Sequence, residues 1–396
     1  TSAVCVTGLV VQDTGSYWSV FGQAVILTLI QIGGLGVVTV AASFALLSGR
    51  RISLMQRSTM QDAISAPKVG GIVRLTRFIL RGTFLIELIG ALAMLPVFCR
   101  DYGWCGIWMA VFHSISAFCN AGFDVMGGRF GEFANLTGYA GDPFVCFVIM
   151  GLIVMGGLGF LVWEDLYNHK FHWRKYHLHT KVVLVMTALL IFVPAVFFYF
   201  VERKGAFAQF GTLDAVTGAL FQSVTLRTAG FSTVIPANFS EGSNLLSIVL
   251  MLIGGSPGST AGGMKTTTFF VIMLSLYSVV RNKATLHCFR RRVDDDILRR
   301  ACAIFFVYLT AATTATIAIC VLQPFGIKEV LYEVVSGLCT VGLSLGITPD
   351  LNAVSKLIIT FLMFFGRIGV LSIVVVLTGT AKKVPIQYPS EKIMIG

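Results

Sequence analysis

Four short strings in this chain of 396 residues end in glycine behind small or polar residues: Val6-Thr7-Gly8, Asn120-Ala121-Gly122, Thr228-Ala229-Gly230 and Thr340-Val341-Gly342. None carries an acid or a base; what they offer is backbone. Glycine lets a chain turn its carbonyl oxygens to one side without a side-chain clash. A ring of such oxygens can replace the hydration shell of a small cation. The glycines are 114, 108 and 112 residues apart, the period of a four-fold internal array. Upstream, Ser2-Ala3-Val4-Cys5, Ser116-Ala117-Phe118-Cys119 and Ser336-Gly337-Leu338-Cys339 agree, each with cysteine three places before the glycine. The third copy is one residue shorter from Thr225 and carries Arg227 in place of the cysteine.

A second phrase recurs downstream: Gly33-Gly34-Leu35-Gly36, Gly156-Gly157-Leu158-Gly159, Gly254-Gly255-Ser256-Pro257-Gly258 and Gly366-Arg367-Ile368-Gly369. Small residues at one depth on four helices permit close packing, and four copies together point to a shared level below the strands. In the third unit the phrase expands through Ser259, Thr260, Ala261, Gly262, Gly263 and Met264 to Lys265. Five glycines and one proline within ten residues cannot hold a regular helix. In the fourth unit Arg367 takes the second glycine position inside an apolar stretch. An intramembrane arginine is costly and faces a cavity or a partner, and the freed carbonyls of the broken helix are its obvious partner. The segment is therefore expected to form a barrier under the strands, held or electrostatically reinforced by Arg367. Gly258 to Thr266 nearly spells a phosphate-binding loop, but Met264 intervenes and no buried strand precedes it, so nucleotide binding is excluded there.

Asp13 and Asp124 follow the first two glycines closely. They either focus cations at an external mouth or cap turns, and the sequence leaves both open. Glu87 is expected to pair locally or to snorkel. His169, His172, His177 and His179 cluster in one loop with Trp173 and Tyr176, without the cysteine or carboxylate spacing of a metal site. Nine cysteines, an odd number, argue against a disulfide framework. Cys5, Cys119 and Cys339 are expected to be buried packing residues behind the strands. No metal is implied beyond a permeant cation.

The elements that must position these residues lie in a membrane. Hydrophobic residues make up 56% of the chain and charged residues 12%, with a mean hydropathy of +0.82, which excludes an ordinary soluble globule. Runs long enough to cross a bilayer are expected at 17–48, 72–98, 143–166, 180–201, 243–280, 299–322 and 352–380, the fifth overlong. The net charge of +11 is distributed by position. Arg50, Arg51, Arg57, Lys68, Arg74, Arg77 and Arg81 lie between the first two spans. Lys170, Arg174, Lys175 and Lys181 follow the third, and Arg281, Lys283, Arg290, Arg291, Arg292, Arg299 and Arg300 follow the fifth. Lys382, Lys383 and Lys392 lie in the tail. By alternation all fall on one side, which the positive-inside rule makes cytoplasmic. They suit anionic membrane lipid or a cytoplasmic partner, not nucleic acid. Each glycine strand falls on the external side, and apolar stretches too short to span, such as 106–118 and 213–224, precede the strands as re-entrant pore helices.

The expected fold is an all-α, multi-pass membrane protein of four pseudo-symmetric units around one central pore. Each unit is a span, a pore helix, a filter strand and a second span. The units are 1–48, 49–169, 170–285 with an intramembrane loop at 254–268, and 286–396 with the tail. The first lacks a span and a pore helix ahead of its strand, so its beginning is expected to be truncated.

Taken together, the four strands, the Gly-Ser-Thr-Ala-Gly-Gly run at 258–263 and Arg367 resemble the Trk/Ktr/HKT superfamily of potassium uptake proteins, specifically the Ktr membrane subunit. The resemblance covers the whole chain. It implies a homodimer above a cytoplasmic ring of KtrA-like RCK/KTN regulatory subunits, which would bind ATP, ADP or NAD; this chain needs no cofactor of its own and is not an enzyme. Some members carry serine at the first glycine position and favour sodium, so Gly8 implies potassium. The strands depart from Thr-Val-Gly in every copy but the last, which implies looser selectivity and a part for sodium. The competing class, an ion-coupled solute carrier, calls for inverted repeats around a midplane pocket, whereas these repeats run parallel with every strand on one side.

Overall fold

Apolar residues at helical spacing separate two faces on each long helix. On the long helix α2 (Ile72–Tyr102), Ile72, Leu75, Ile79, Thr83, Glu87, Gly90, Met94 and Phe98 are buried, while Phe84, Leu85, Leu88, Ile89 and Leu92 are exposed. Such a helix packs one stripe inward and turns an apolar stripe outward to lipid. The computed structural model describes residues 1–36, 39–40, 61, 71–170, 172–283 and 285–369. Arg50, Arg51, Arg57, Lys68, Lys382, Lys383 and Lys392, and the far ends of the spans expected at 17–48 and 352–380, lie outside the described residues.

The main helices are α1 (Val20–Leu35), α2 (Ile72–Tyr102), α3 (Cys105–Phe118), α4 (Pro143–Leu158), α5 (Phe160–His169), α6 (Leu178–Glu202), α7 (Thr212–Thr225), α8 (Glu241–Leu252), α9 (Thr266–Val280), α10 (Asp295–Leu322), α11 (Ile327–Leu338) and α12 (Ala353–Ile368). The order of a long helix, a short helix, a glycine strand and a second helix runs through α2 to α4, α6 to α8 and α10 to α12. Each long helix packs against its short one. The turn from α2 to α3 is tight because Gly103 adopts φ 59°. Helix α4 starts where Asp142 accepts hydrogen bonds from the N–H groups of Phe144 and Val145 at 3.1 and 3.2 Å. Asn352 does the same for α12, accepting from Ser355 N at 2.7 Å.

Helices α2, α6 and α10 are each long and apolar enough to cross a membrane. The continuous span expected at 143–166 is corrected: α4 and α5 meet at 95°. Gly159 makes the corner with φ 95° and ψ 140°, a conformation closed to residues with a side chain. Gly36 at the end of α1 (84°, 133°) and Gly369 at the end of α12 (88°, 130°) adopt the same pair of angles. The last glycine of the second phrase is therefore a helix terminator in three units, not only a packing residue. The fifth span is interrupted as expected, between Leu252 and Thr266. On the basic side of the chain, β1 (His287–Cys288) and β2 (Arg291–Arg292) form a small antiparallel hairpin.

Candidate functional site

The four glycine strands share one backbone conformation. Val6, Asn120, Thr228 and Thr340, each two residues before a glycine, have φ of 56°, 57°, 63° and 53°. The glycines have φ of 95°, 69°, 78° and 96°. A left-handed valine or threonine is strained by about 1–3 kcal/mol and persists only where its surroundings impose it. Here the preceding turn does so. The N–H before each glycine reaches back to a helix-end carbonyl: Thr7 N to Ser2 O, Ala121 N to Ser116 O, Ala229 N to Thr225 O and Val341 N to Ser336 O, all at 2.8–2.9 Å. In the third copy the bond spans four residues instead of five, absorbing the one-residue deletion. Side-chain hydroxyls add a strap from the same positions. Ser2 Oγ and Ser336 Oγ accept from Gly8 N and Gly342 N at 3.1 Å, while Ser116 Oγ and Thr225 Oγ1 donate to Phe123 O and Phe231 O at 2.7 and 2.5 Å. These serines recur in the sequence, but repetition alone did not reveal that they tie helix to strand.

The glycines close on one another. A Cβ added to Gly8 would lie 2.6 Å from Ala121 O, and one on Gly122 would lie 2.7 Å from Ala229 O. One on Gly230 would strike Val341 O, and one on Gly342 would strike Thr7 O. Each strand thus meets the carbonyl of the next in the order first, second, third, fourth and back to the first. All four glycines line a single cavity of about 200 Å³, with Asp13, Asp124, Ser344 and Thr348 in its wall. The hydroxyls of Thr7, Thr228 and Thr340 are buried and make no hydrogen bond within the described residues.

Beneath the strands lie carbonyls from the helical segments that precede them, the single turn Ser2–Cys5 and helices α3 and α11. Val4 O, Phe118 O and Leu338 O, each four residues before a strand glycine, abut Gly33, Gly156 and Gly366, where an added Cβ would collide with them. The second phrase thus begins where helix ends must approach closely. In the third unit Gly254 instead faces the carbonyl of Gly262 in its own loop.

That loop is tied on every side. Within it, Gly254 N donates to Met264 O at 2.8 Å and Thr266 N to Gly255 O at 3.1 Å. To the second unit, Ser256 N donates to Gly157 O at 3.1 Å and Thr260 N to Gly156 O at 3.2 Å. Thr260 Oγ1 donates to Phe118 O at 3.1 Å, and Phe160 N at the head of α5 donates to Gly258 O at 2.7 Å. Pro257 O lies 2.6 Å from where a Gly159 Cβ would stand. Ser259 Oγ donates to Ser256 O at 2.7 Å. Toward the fourth unit, Gly262 leaves no room for a Cβ beside Thr340 Oγ1, and Gly263 (φ 67°) packs on Cys339. Two cations hold successive carbonyls of the loop. Lys265 Nζ donates to Ala261 O at 2.7 Å, and the Arg367 guanidinium donates to Thr260 O. Arg367 also donates to Gly33 O and, at 3.2 Å, to Gly34 O at the end of α1. It joins three units at one level.

The remaining candidates separate. Asp13 caps the turn Thr14–Tyr17, accepting from Ser16 N and Ser16 Oγ at 2.7 Å, and also accepts from Phe133 N at 3.2 Å. Asp124 accepts from Met126 N at 2.9 Å. Both cap turns, and both line the cavity. Removal from water, reinforced by the charge of Asp13, pushes the Asp124 carboxyl up to about 7. The expected local pairing or snorkelling of Glu87 is corrected: it is buried on α2 and accepts from Gln31 Nε2 of α1 at 3.0 Å, 56 residues away, a partner that only helix packing supplies. His169 and His177 turn their Nδ1 atoms to Asp165 at 2.8 and 2.9 Å, and no metal-type cluster occurs among the described residues. Cys5, Cys119 and Cys339 are buried and free. Arg227 is buried, and nothing in the structure explains why its Nε and one Nη lack partners among the described residues. Glu333, buried on α11, was missed. It lies nine residues before Gly342 with no motif around it.

The long apolar helices define the class, a helical membrane protein. The TrkH family of cation transport proteins matches residues 1–385, and the chain belongs to it. It is 37% identical to the potassium/sodium uptake protein NtpJ of Enterococcus hirae over 404 residues, covering all of this chain and 88% of that one. It is 37% identical to the Ktr system potassium uptake protein B of Bacillus subtilis over 398 residues, with the same coverage. Among solved structures, the potassium transporter TrkH from Vibrio parahaemolyticus shares the fold, with a TM-score of 0.73 and 19% identity over 96% of this chain and 77% of that one.

Proposed function

We propose that this protein takes up potassium across the plasma membrane through a central pore built from four pseudo-symmetric units. Val6 to Gly8, Asn120 to Gly122, Thr228 to Gly230 and Thr340 to Gly342 form the selectivity filter, and 254–268 forms the gate. The observation that carries this reading is the closed cycle in which each strand glycine meets the carbonyl of the next strand. Four strands converging with no side chain between them leave backbone oxygen as the lining, the arrangement that replaces a cation's hydration shell. Helix C-termini aimed at the level below favour positive charge there. The loop packs against the bases of the second and fourth strands and is held by Lys265 and Arg367, so a permeating ion must displace it and pass these two basic side chains. The membrane potential contributes roughly 2.3 kcal/mol per charge per 100 mV to inward movement.

The names of the relatives support potassium as the main cargo and sodium as a second ion or modulator. The Ktr resemblance supports a homodimer over a cytoplasmic ring of KtrA-like RCK/KTN subunits that carry the nucleotide, ATP, ADP or NAD. The chain would be multi-pass, with its basic loops toward that ring. Radiotracer uptake into liposomes containing the protein tests the core of this reading. Gly122→Ser or Gly230→Ser should lower the potassium-to-sodium uptake ratio by about tenfold, since one misplaced oxygen ligand costs on the order of 1–2 kcal/mol. An unaltered ratio would remove those positions from the filter.

A further inference from the structure

Behind the cavity lined by the four glycines sits a carboxylate that the proposed filter and gate do not use. Glu333, on α11, is 1% exposed. Its oxygens accept from Ser344 Oγ at 2.8 Å and from Thr348 Oγ1, and among the described residues no basic side chain pairs with it. A buried carboxylate is retained at a cost unless a positive charge answers it. Ser344 and Thr348 both line the cavity, two and six residues beyond Gly342. Their hydroxyl oxygens are 3.1 Å apart.

A hydroxyl has one proton and two lone pairs. Donation to Glu333 turns each proton inward, away from the cavity. Ser344 Oγ accepts from Gly346 N at 2.9 Å and lies 3.1 Å from Thr348 Oγ1, whose single proton can go either to it or to Glu333; with that proton on Glu333, one lone pair stays on Ser344 Oγ and two on Thr348 Oγ1. Two hydroxyl oxygens polarised by one carboxylate thus face the space above the glycines, an oxygen-only donor set of the kind that suits a hard cation.

We propose that Ser344 and Thr348, backed by Glu333, form an outer site for a partly hydrated monovalent cation, occupied from the external solution before the ion enters the strands. The inference rests on the filter reading above. The cation supplies the charge that Glu333 lacks, and the site raises the local potassium concentration at the entrance.

The test is potassium uptake by the full chain in liposomes, measured against external potassium concentration, with thermal denaturation as a check of folding. Glu333→Gln should raise the half-saturating concentration about tenfold while changing the maximal rate far less, and Glu333→Asp should recover part of the loss. Thr348→Val, which leaves the carboxylate in place, should shift half-saturation in the same direction. Should Glu333→Gln fail to fold, Ser344→Ala makes the same distinction. Folded variants with wild-type half-saturation would overturn the outer site, as would a fall in maximal rate alone. Neither result touches the filter reading, which fails separately if the wild-type chain moves no potassium or if the Gly122 substitution leaves the ion preference intact.

Discussion

Arg367 shows how one side chain links units that the sequence keeps far apart. Its guanidinium reaches Thr260 O in the third unit and Gly33 O and Gly34 O in the first, from a position in the fourth. A planar fork with several donors can bridge two separated carbonyl groups, whereas a lysine ammonium is a point charge. Arg367→Gln should therefore free the loop and raise potassium flux severalfold in liposomes. Arg367→Lys keeps the charge but not the bridge, so its flux should stay closer to that of the glutamine variant. Wild-type flux in Arg367→Lys would show that charge alone is what counts. The sequence made this arginine conspicuous, since it replaces a glycine in an apolar stretch. The broken helix of the third unit was its expected partner; the two carbonyls of α1 were not, because nothing local marks which helix ends face one another. Glu333 was invisible for a related reason: its hydroxyl partners lie 11 and 15 residues away, outside any helical or strand periodicity.

At the scale of elements, glycine sets where helices stop. Gly36, Gly159 and Gly369 end α1, α4 and α12 with nearly the same angles, and only the third unit replaces that corner with a longer loop. The expected break in the third unit was legible because proline and clustered glycines exclude a helix outright. The corner at Gly159 was not, because an isolated glycine in an apolar run is tolerated by a helix at a cost of only about 1 kcal/mol. What decides the matter is the approach of Pro257 O, which the loop brings to that spot. If the loop is the barrier, removing Ser256–Gly262 takes away the bonds that close the level below the strands. Such a variant should conduct potassium severalfold faster than wild type in the same liposomes; unchanged uptake would sink the gate assignment.

For the whole molecule, the cavity above the strands collects acids while the opposite side collects bases. Asp13 and Asp124 line that cavity, and Asp124 is held near 7 by removal from water and by Asp13. Its folded value lies above that of a free aspartate, so it loses its charge as external pH falls through about 7. Uptake at subsaturating potassium should then decline from pH 8 to pH 6 with little change at saturation. Asp124→Asn should be low across the range and flatter with pH; a variant with the full wild-type pH response would assign the titration elsewhere.

Features that depend on neighbours along the chain were legible from residue order. Apolar length set the membrane class, repeated glycines set the number and period of the strands, and the Gly-Pro cluster set the broken segment. Which strand follows which emerges only on folding, since the cycle consists of contacts between residues more than a hundred positions apart. The same folding brought Arg367 to α1, turned α5 away from α4 at Gly159, and set Glu333 behind the Ser344 and Thr348 hydroxyls that line the cavity. Such pairings arise when separate helices pack, and local propensity carries no record of them.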